Sequence, residues 1–130
     1  MQDRQVNHRR CVLITEDQAL IALMMKHELI DAGYEVVGPF ESCAEASAWL
    51  ADETPDMAIL DVQLKDGPCT DLATELQKRG VKFAVFSGGK QLDGPASFPL
   101  VPWFEKPSEL SKIIASFTDP QADPSGLQTA

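Results

Sequence analysis

Residues 57–62 read MAILDV, a short apolar run that delivers one carboxylate, Asp61, near its C-terminal end. Such a run, with no polar alternation inside it, is the pattern of a strand buried on both faces of a parallel sheet. The same design stands upstream, where residues 11–15 read CVLIT and stop at Glu16 and Asp17. Between the two runs, residues 18–32 turn helical, with Ile21, Met25, Leu29 and Ala32 on one stripe and Gly33 as the stop. Residues 34–37 follow as a second strand that Gly38-Pro39 ends. Ser42 and Glu45 then have capping-box spacing ahead of an alanine-rich helix with Trp49 and Leu50. Downstream of Asp61, the loop Asp66-Gly67-Pro68 leads to a helix with Leu72 and Leu76 that ends at Gly80. Residues 81–86 (VKFAVF) form a fourth strand that terminates at Ser87-Gly88-Gly89, and a fifth lies around 101–104, before Lys106-Pro107. Ser108 caps a final helix that carries Leu110, Ile113, Ile114 and Phe117. Regular alternation of strand and helix predicts an α/β fold: a five-stranded parallel sheet, doubly wound, with helices on both faces.

With 130 residues, 44% of them apolar, the chain is long enough for one domain with a real core and too short for two. Residues 10–118 are expected to form that domain, and the polar segments 1–9 and 119–130 to be disordered. Eleven lysines and arginines against 20 acids give a net charge of -9, which disfavours a nucleic-acid backbone and favours cations and basic partner surfaces. Cys11, Cys43 and Cys69 are far apart, odd in number and without a histidine at zinc spacing, so they read as free, reduced thiols, with Cys69 inert. The N-terminus lacks a signal-type apolar core, and no stretch of about 18 apolar residues follows. A soluble, cytoplasmic protein with no membrane contact is expected. His8 and His27 have no partner at catalytic spacing, Trp49 reads as a packing residue, and Gly88-Gly89 is too short to cradle a nucleotide.

In open α/β sheets ligands bind beyond the carboxyl ends of the strands. Glu16 and Asp17 end the first strand, Asp61 the third and Ser87 the fourth, and Lys106 follows the fifth. Three crowded carboxylates need a compensating cation to stay ionised near neutral pH. Hard oxygen donors suit Mg²⁺, which uses few carboxylates and takes further ligands from phosphate oxygens. Lys106 and Ser87 fit as a cation and a hydroxyl donor to the same phosphate, and Asp61 as the nucleophile that forms an acyl phosphate.

These residues, in the segments VLITED, AILDVQL, FAVFSG and WFEKP, resemble the receiver domain of bacterial two-component response regulators, over roughly residues 11–117. The resemblance implies a flavodoxin-like receiver fold and a phosphoryl group accepted on Asp61 from a histidine kinase or phosphotransfer protein. It further implies Glu16, Asp17, Asp61 and the Gln63 backbone carbonyl as the Mg²⁺ site, Ser87 as switch hydroxyl and Lys106 as phosphate contact. The Lys106-Pro107 bond is commonly cis in the family. Trp103 occupies the place of the family's aromatic rotamer switch, where tyrosine or phenylalanine is usual and less bulky. Such a domain is a phosphoacceptor that promotes its own phosphorylation and dephosphorylation, not an enzyme acting on a separate substrate. As the chain shows only a short polar tail after the last helix, it is expected to be a stand-alone regulator whose output passes to a downstream protein target that the sequence does not name.

Two other readings compete. A pseudo-receiver would bind partners without phosphorylation, but would ordinarily have lost the lysine, the hydroxyl or the acid pair, all present here. A haloacid-dehalogenase-type phosphatase would need a second aspartate where Gln63 stands. Two surface expectations complete the reading. Leu20, Leu23 and Ile30 form an apolar strip on the first helix away from its core stripe. Leu20 and Leu23 are therefore candidates for docking the phosphodonor, with homodimer formation as the alternative use. Between Ser87 and Lys106, Gly94-Pro95, Pro99 and Pro102 oppose a full fourth helix, since each interior proline costs about 3 kcal/mol. A shortened or irregular fourth helix of one or two turns near residues 90–93 is expected.

Overall fold

A computed structural model describes residues 9–88, 98–99 and 101–118. Strand β1 (Cys11–Thr15) and strand β3 (Met57–Leu60) lie side by side at the centre of a sheet of order β2-β1-β3-β4-β5, with every pairing parallel. The other strands are β2 (Glu35–Phe40), β4 (Lys82–Ser87) and β5 (Trp103–Glu105). Four helices connect or follow them among the described residues: α1 (Ala19–Asp31), α2 (Cys43–Leu50), α3 (Thr70–Lys78) and α4 (Leu110–Thr118). The flavodoxin-like fold expected from the sequence is the one observed.

Strand side chains alternate between faces, so β1 and β3 feed two cores. Leu13, Ala58, Leu60 and Val85 pack with Leu50, Leu72 and Leu76 of α2 and α3. Val12, Ile14, Ile59 and Phe86 pack with Met25, Leu29, Ile113 and Phe117 of α1 and α4. Burial on both faces explains the unbroken apolar runs. From β1 the chain passes to β2 on one side, then returns past β1 to β3, which places the reversal of strand order between the ends of β1 and β3.

Several local expectations are corrected. On α1, Ala22 is buried, whereas Ala32 is an exposed C-cap residue, because the helix ends one residue earlier than its apolar spacing suggests. Strand β2 does not stop at Gly38-Pro39 but runs through it to Phe40, with a register shift against β1 and a cis peptide bond. It can do so because β2 is an edge strand, where a missing N–H need not break a ladder. Gly38, with φ of 104°, is required there: a Cβ would lie 2.7 Å from the Ile14 carbonyl oxygen. Tyr34, expected inside β2, instead precedes it and packs edge-on against Phe117 at 6.5 Å. Ser108, expected as the cap of α4, lies in the turn before it, and the helix begins at Leu110.

The cysteine reading is overturned in part. Cys43 and Cys69 form a disulfide with Cα atoms 5.3 Å apart, and Cys11 alone is free. A separation of 26 residues hid the pair. Both α2 and α3 begin on the same face of the sheet, and the β3–α3 loop folds back over the start of α2, which brings the two thiols together. The expected short helix near residues 90–93 and the expected disorder of residues 1–9 and 119–130 fall outside the described residues, apart from Arg9. Among the described residues no helix is long and apolar enough to cross a membrane.

Candidate functional site

Each acidic residue of the site is aimed by the strand that carries it. Glu16, one residue past β1, donates its N–H to the Phe40 carbonyl (2.9 Å), so the bulged end of β2 holds it. Its carboxylate turns inward, fully buried, and Oε2 accepts from the Gln18 N–H at 3.1 Å. Asp61, one residue past β3, donates its N–H to Thr15 Oγ1 (2.9 Å), while its own Oδ1 accepts from the Gln63 N–H (2.9 Å). Thr15 is a functional contributor that the sequence did not disclose, since a threonine ending a strand reads as an ordinary β-branched residue. Asp17 sits beside them, half-buried. One carboxylate oxygen from each of Glu16, Asp17 and Asp61 falls within 4.8 Å of the others.

Lys106 reaches this cluster from the far side of the sheet. Its backbone N–H donates to the Ser87 carbonyl (3.1 Å), extending the β4–β5 pairing by one residue, and the Lys106-Pro107 peptide is cis. The ammonium donates to Asp61 Oδ2 (2.8 Å) and Glu16 Oε2 (3.0 Å). Burial acts to lower the lysine's pKa, but the hydrogen bonds and charges of Asp61 and Glu16 outweigh it and the net shift is upward. Burial likewise raises the Glu16 carboxyl, opposed by its hydrogen bonds from Lys106 and Gln18. Ser87, at the end of β4, is fully buried.

The residues fit a hard divalent cation. Glu16 Oε1 lies 2.8 Å from the ammonium yet has no hydrogen-bond partner, which leaves a buried carboxylate oxygen with lone pairs to share. Among the described residues, three carboxylates beside one ammonium leave the cluster short of positive charge.

Not every expected residue joins this group. Trp103, at the start of β5, is half-buried and packs edge-on against Phe98 (6.2 Å) at the edge of the α2–α3 core. Leu20 and Leu23 lie on α1, 80% and 64% exposed, with Ile30 at 45%. The apolar strip is therefore uncovered in the isolated chain.

A family model described as the response regulator receiver domain matches residues 12–93, more than half of the chain and both acidic strand ends. The chain belongs to the response-regulator receiver family. Receivers are signalling domains phosphorylated by histidine kinases, and they generally bind Mg²⁺ at an acidic pocket. The receiver is 35% identical over 85 residues to the transcriptional regulatory protein PdtaR of Mycobacterium tuberculosis, an alignment that covers 65% of this chain and 42% of PdtaR. The receiver thus spans less than half the length of that curated relative. It also superposes on the solution structure of SdrG from Sphingomonas melonis Fr1 with a TM-score of 0.71 and 31% identity, covering 85% of this chain and 94% of SdrG. The BeF3-activated conformation of SdrG from Pseudomonas melonis Fr1 superposes with a TM-score of 0.67 at the same 31% identity, covering 83% of this chain and 92% of that one.

Proposed function

We propose that residues 10–118 form a receiver that accepts a phosphoryl group on Asp61, in Mg²⁺-dependent fashion, from a phosphohistidine of a histidine kinase or phosphotransfer protein. The observation that carries this reading is the convergence of Glu16, Asp17 and Asp61 within 4.8 Å, with Lys106 bound to two of them at the carboxyl ends of adjoining strands. An Asp61 carboxylate oxygen attacks phosphorus as the P–N bond of the donor breaks, and the imidazole leaves. The Gln63 N–H, already on Oδ1, holds the carboxylate in place. Lys106 exchanges its contact with Asp61 Oδ2 for a phosphoryl oxygen and stabilises the charge that spreads over the group in the transition state. Ser87 takes another phosphoryl oxygen. Glu16, Asp17, Asp61 and the Gln63 carbonyl would hold Mg²⁺, which would neutralise charge on the phosphoryl oxygens.

That SdrG has a BeF3-activated conformation is consistent with this chemistry. Leu20 and Leu23, at the start of α1 and close in sequence to Glu16 and Asp17, would dock the phosphodonor, with self-association as the alternative use. Output goes to a protein target, in keeping with a net charge of -9 that repels nucleic acid. The test is incubation with Mg²⁺ and acetyl phosphate. One acid-stable, base-labile phosphoryl group should form and should be absent from Asp61→Ala. Stoichiometric labelling of that variant at another residue would reject the assignment.

A further inference from the structure

The loop that follows Asp61 packs Val62 and Leu64 against α2 and is also tied to the start of that helix by a carboxylate and by a covalent bond. Asp66 places both carboxylate oxygens on the start of the helix, accepting from the Cys43 N–H (2.7 Å) and the Ala44 N–H (3.1 Å). Two residues beyond the Gly67 turn, which closes on Leu64, Cys69 is bonded to Cys43. Cys69 is also the N-cap of α3 and holds a left-handed backbone, φ of 58°, that non-glycine residues rarely adopt. The same loop carries Gln63, whose N–H orients Asp61.

A cleft of about 380 Å³ opens beside the bridge, lined by Cys43, Ser47, Asp66, Pro68, Cys69 and Thr70. The two cysteines that line it are unequal as residues: Cys69 is 5% exposed, whereas Cys43 is only half-buried. Cys43 is the more exposed of the two to a reagent from solvent.

We propose that Cys43–Cys69 is a thiol–disulfide exchange site, taking a dithiol as co-substrate, whose opening loosens the loop that orients Asp61. One thiolate of the dithiol attacks Cys43 Sγ, forming a mixed disulfide as the Cys43–Cys69 bond breaks and Cys69 leaves as a thiolate that takes up a proton. The second thiol of the reagent then attacks its own sulfur in the mixed disulfide and releases Cys43 as a thiol. Two electrons and two protons pass to the protein, and the dithiol becomes a disulfide. With the bridge open, the loop keeps the Asp66 hydrogen bonds and the packing of Val62 and Leu64 against α2 but loses its covalent tie, so the segment 62–69 fluctuates more and the carboxylate set is less well ordered for a cation. Any effect on phosphorylation rests on the proposed function, but the opening and loosening of the loop do not.

The test compares the full chain purified without reductant and after treatment with dithiothreitol. Alkylation in denaturant followed by mass spectrometry should count one thiol before reduction and three after it. Amide exchange across residues 62–69 should quicken at least threefold on reduction, with residues of β1 and α1 unchanged. Mg²⁺ affinity, followed by titration calorimetry, should fall about three- to tenfold. Cys43→Ser, which has no bridge to open, should show the fast exchange from the start and no response to dithiothreitol, while Cys11→Ser should behave as wild type. Three alkylatable thiols before reduction, or equal exchange in the two redox states, would overturn the proposal. Loosening of the loop with no Asp61 labelling in either state would leave the exchange site standing and reject the phosphoacceptor reading instead.

Discussion

Replacing Lys106 with methionine removes the one cation among the described residues that touches both Glu16 and Asp61, while keeping most of the side chain's volume. The three side chains are 8%, 0% and 3% exposed and meet at 2.8 Å, so this is a buried ionic cluster, not a surface pair. Breaking one partner of such a cluster leaves uncompensated buried charge and costs about 3–5 kcal/mol, against roughly 0–1 for an exposed pair. With an m-value of about 1.5–2 kcal/mol/M, the urea midpoint in Mg²⁺-free buffer should fall by roughly 1.5–3 M. Two further signatures separate this cause from simple loss of packing. Saturating Mg²⁺ can neutralise the same carboxylates, so it should recover more than half of the loss in the variant and stabilise wild type less. The pH dependence has a definite sign as well. Glu16 is already held above its ordinary value of 4.5 by burial, and its contribution to stability is present below that value and lost as pH rises through the folded value. Losing the lysine moves the folded value further up, so the deficit of the variant should be largest near neutral pH and shrink toward about pH 5. Lys65→Met, which disrupts only a 3.8 Å surface contact with Glu41, is the control and should leave the midpoint unchanged. A fall below about 0.5 M, or a fall of equal size with and without Mg²⁺, would refute the reasoning.

Three other substitutions probe different links. Thr15→Val leaves the buried Asp61 N–H without its acceptor and should cost about 1–3 kcal/mol in denaturant melts, with slower acetyl-phosphate labelling because Asp61 is less well held. Gly38→Ala sets a Cβ 2.7 Å from the Ile14 carbonyl oxygen at a φ of 104°, so a loss of about 1–3 kcal/mol from backbone strain alone is expected, and a midpoint equal to wild type would contradict the close approach. Leu23→Glu should slow phosphoryl transfer from the kinase while acetyl-phosphate labelling stays intact; equal loss of both would point to misfolding. The free thiol supplies a chemical check, since burial, with the charges of Glu35 and Asp56 adding to it, pushes Cys11 up to about 11 from an ordinary 9.0. At about pH 8 its thiolate fraction, and hence its alkylation rate, should be of order 100-fold lower than for an ordinary thiol, rising tenfold per pH unit.

The chain order of apolar runs and carboxylates was enough to read the parallel sheet and to bring Glu16, Asp17, Asp61 and Lys106 to one end of it. The reason is physical: strands buried on both faces must be apolar throughout, so a charged residue at a strand's end stands out and its location in the fold follows from that of the strand. The exposed strip Leu20, Leu23 and Ile30 was legible for the same reason, because a helix with apolar residues on two faces can bury only one. What depended on approach between distant segments was not legible. Thr15 meets Asp61 across 46 residues, Asp66 caps α2 across 23, and Cys43 joins Cys69 across 26. Each of these residues has an ordinary local explanation, as a strand end, a turn acid or a solitary thiol, and no periodicity marks it. The passage of β2 through Gly38-Pro39 was hidden likewise, since proline ends a central strand but not an edge strand, and which strand is the edge is a property of the assembled sheet. Local pattern thus determined which elements form and which of their ends carry charge, while tertiary packing alone decided which loops lie against one another and so which polar groups and sulfurs meet.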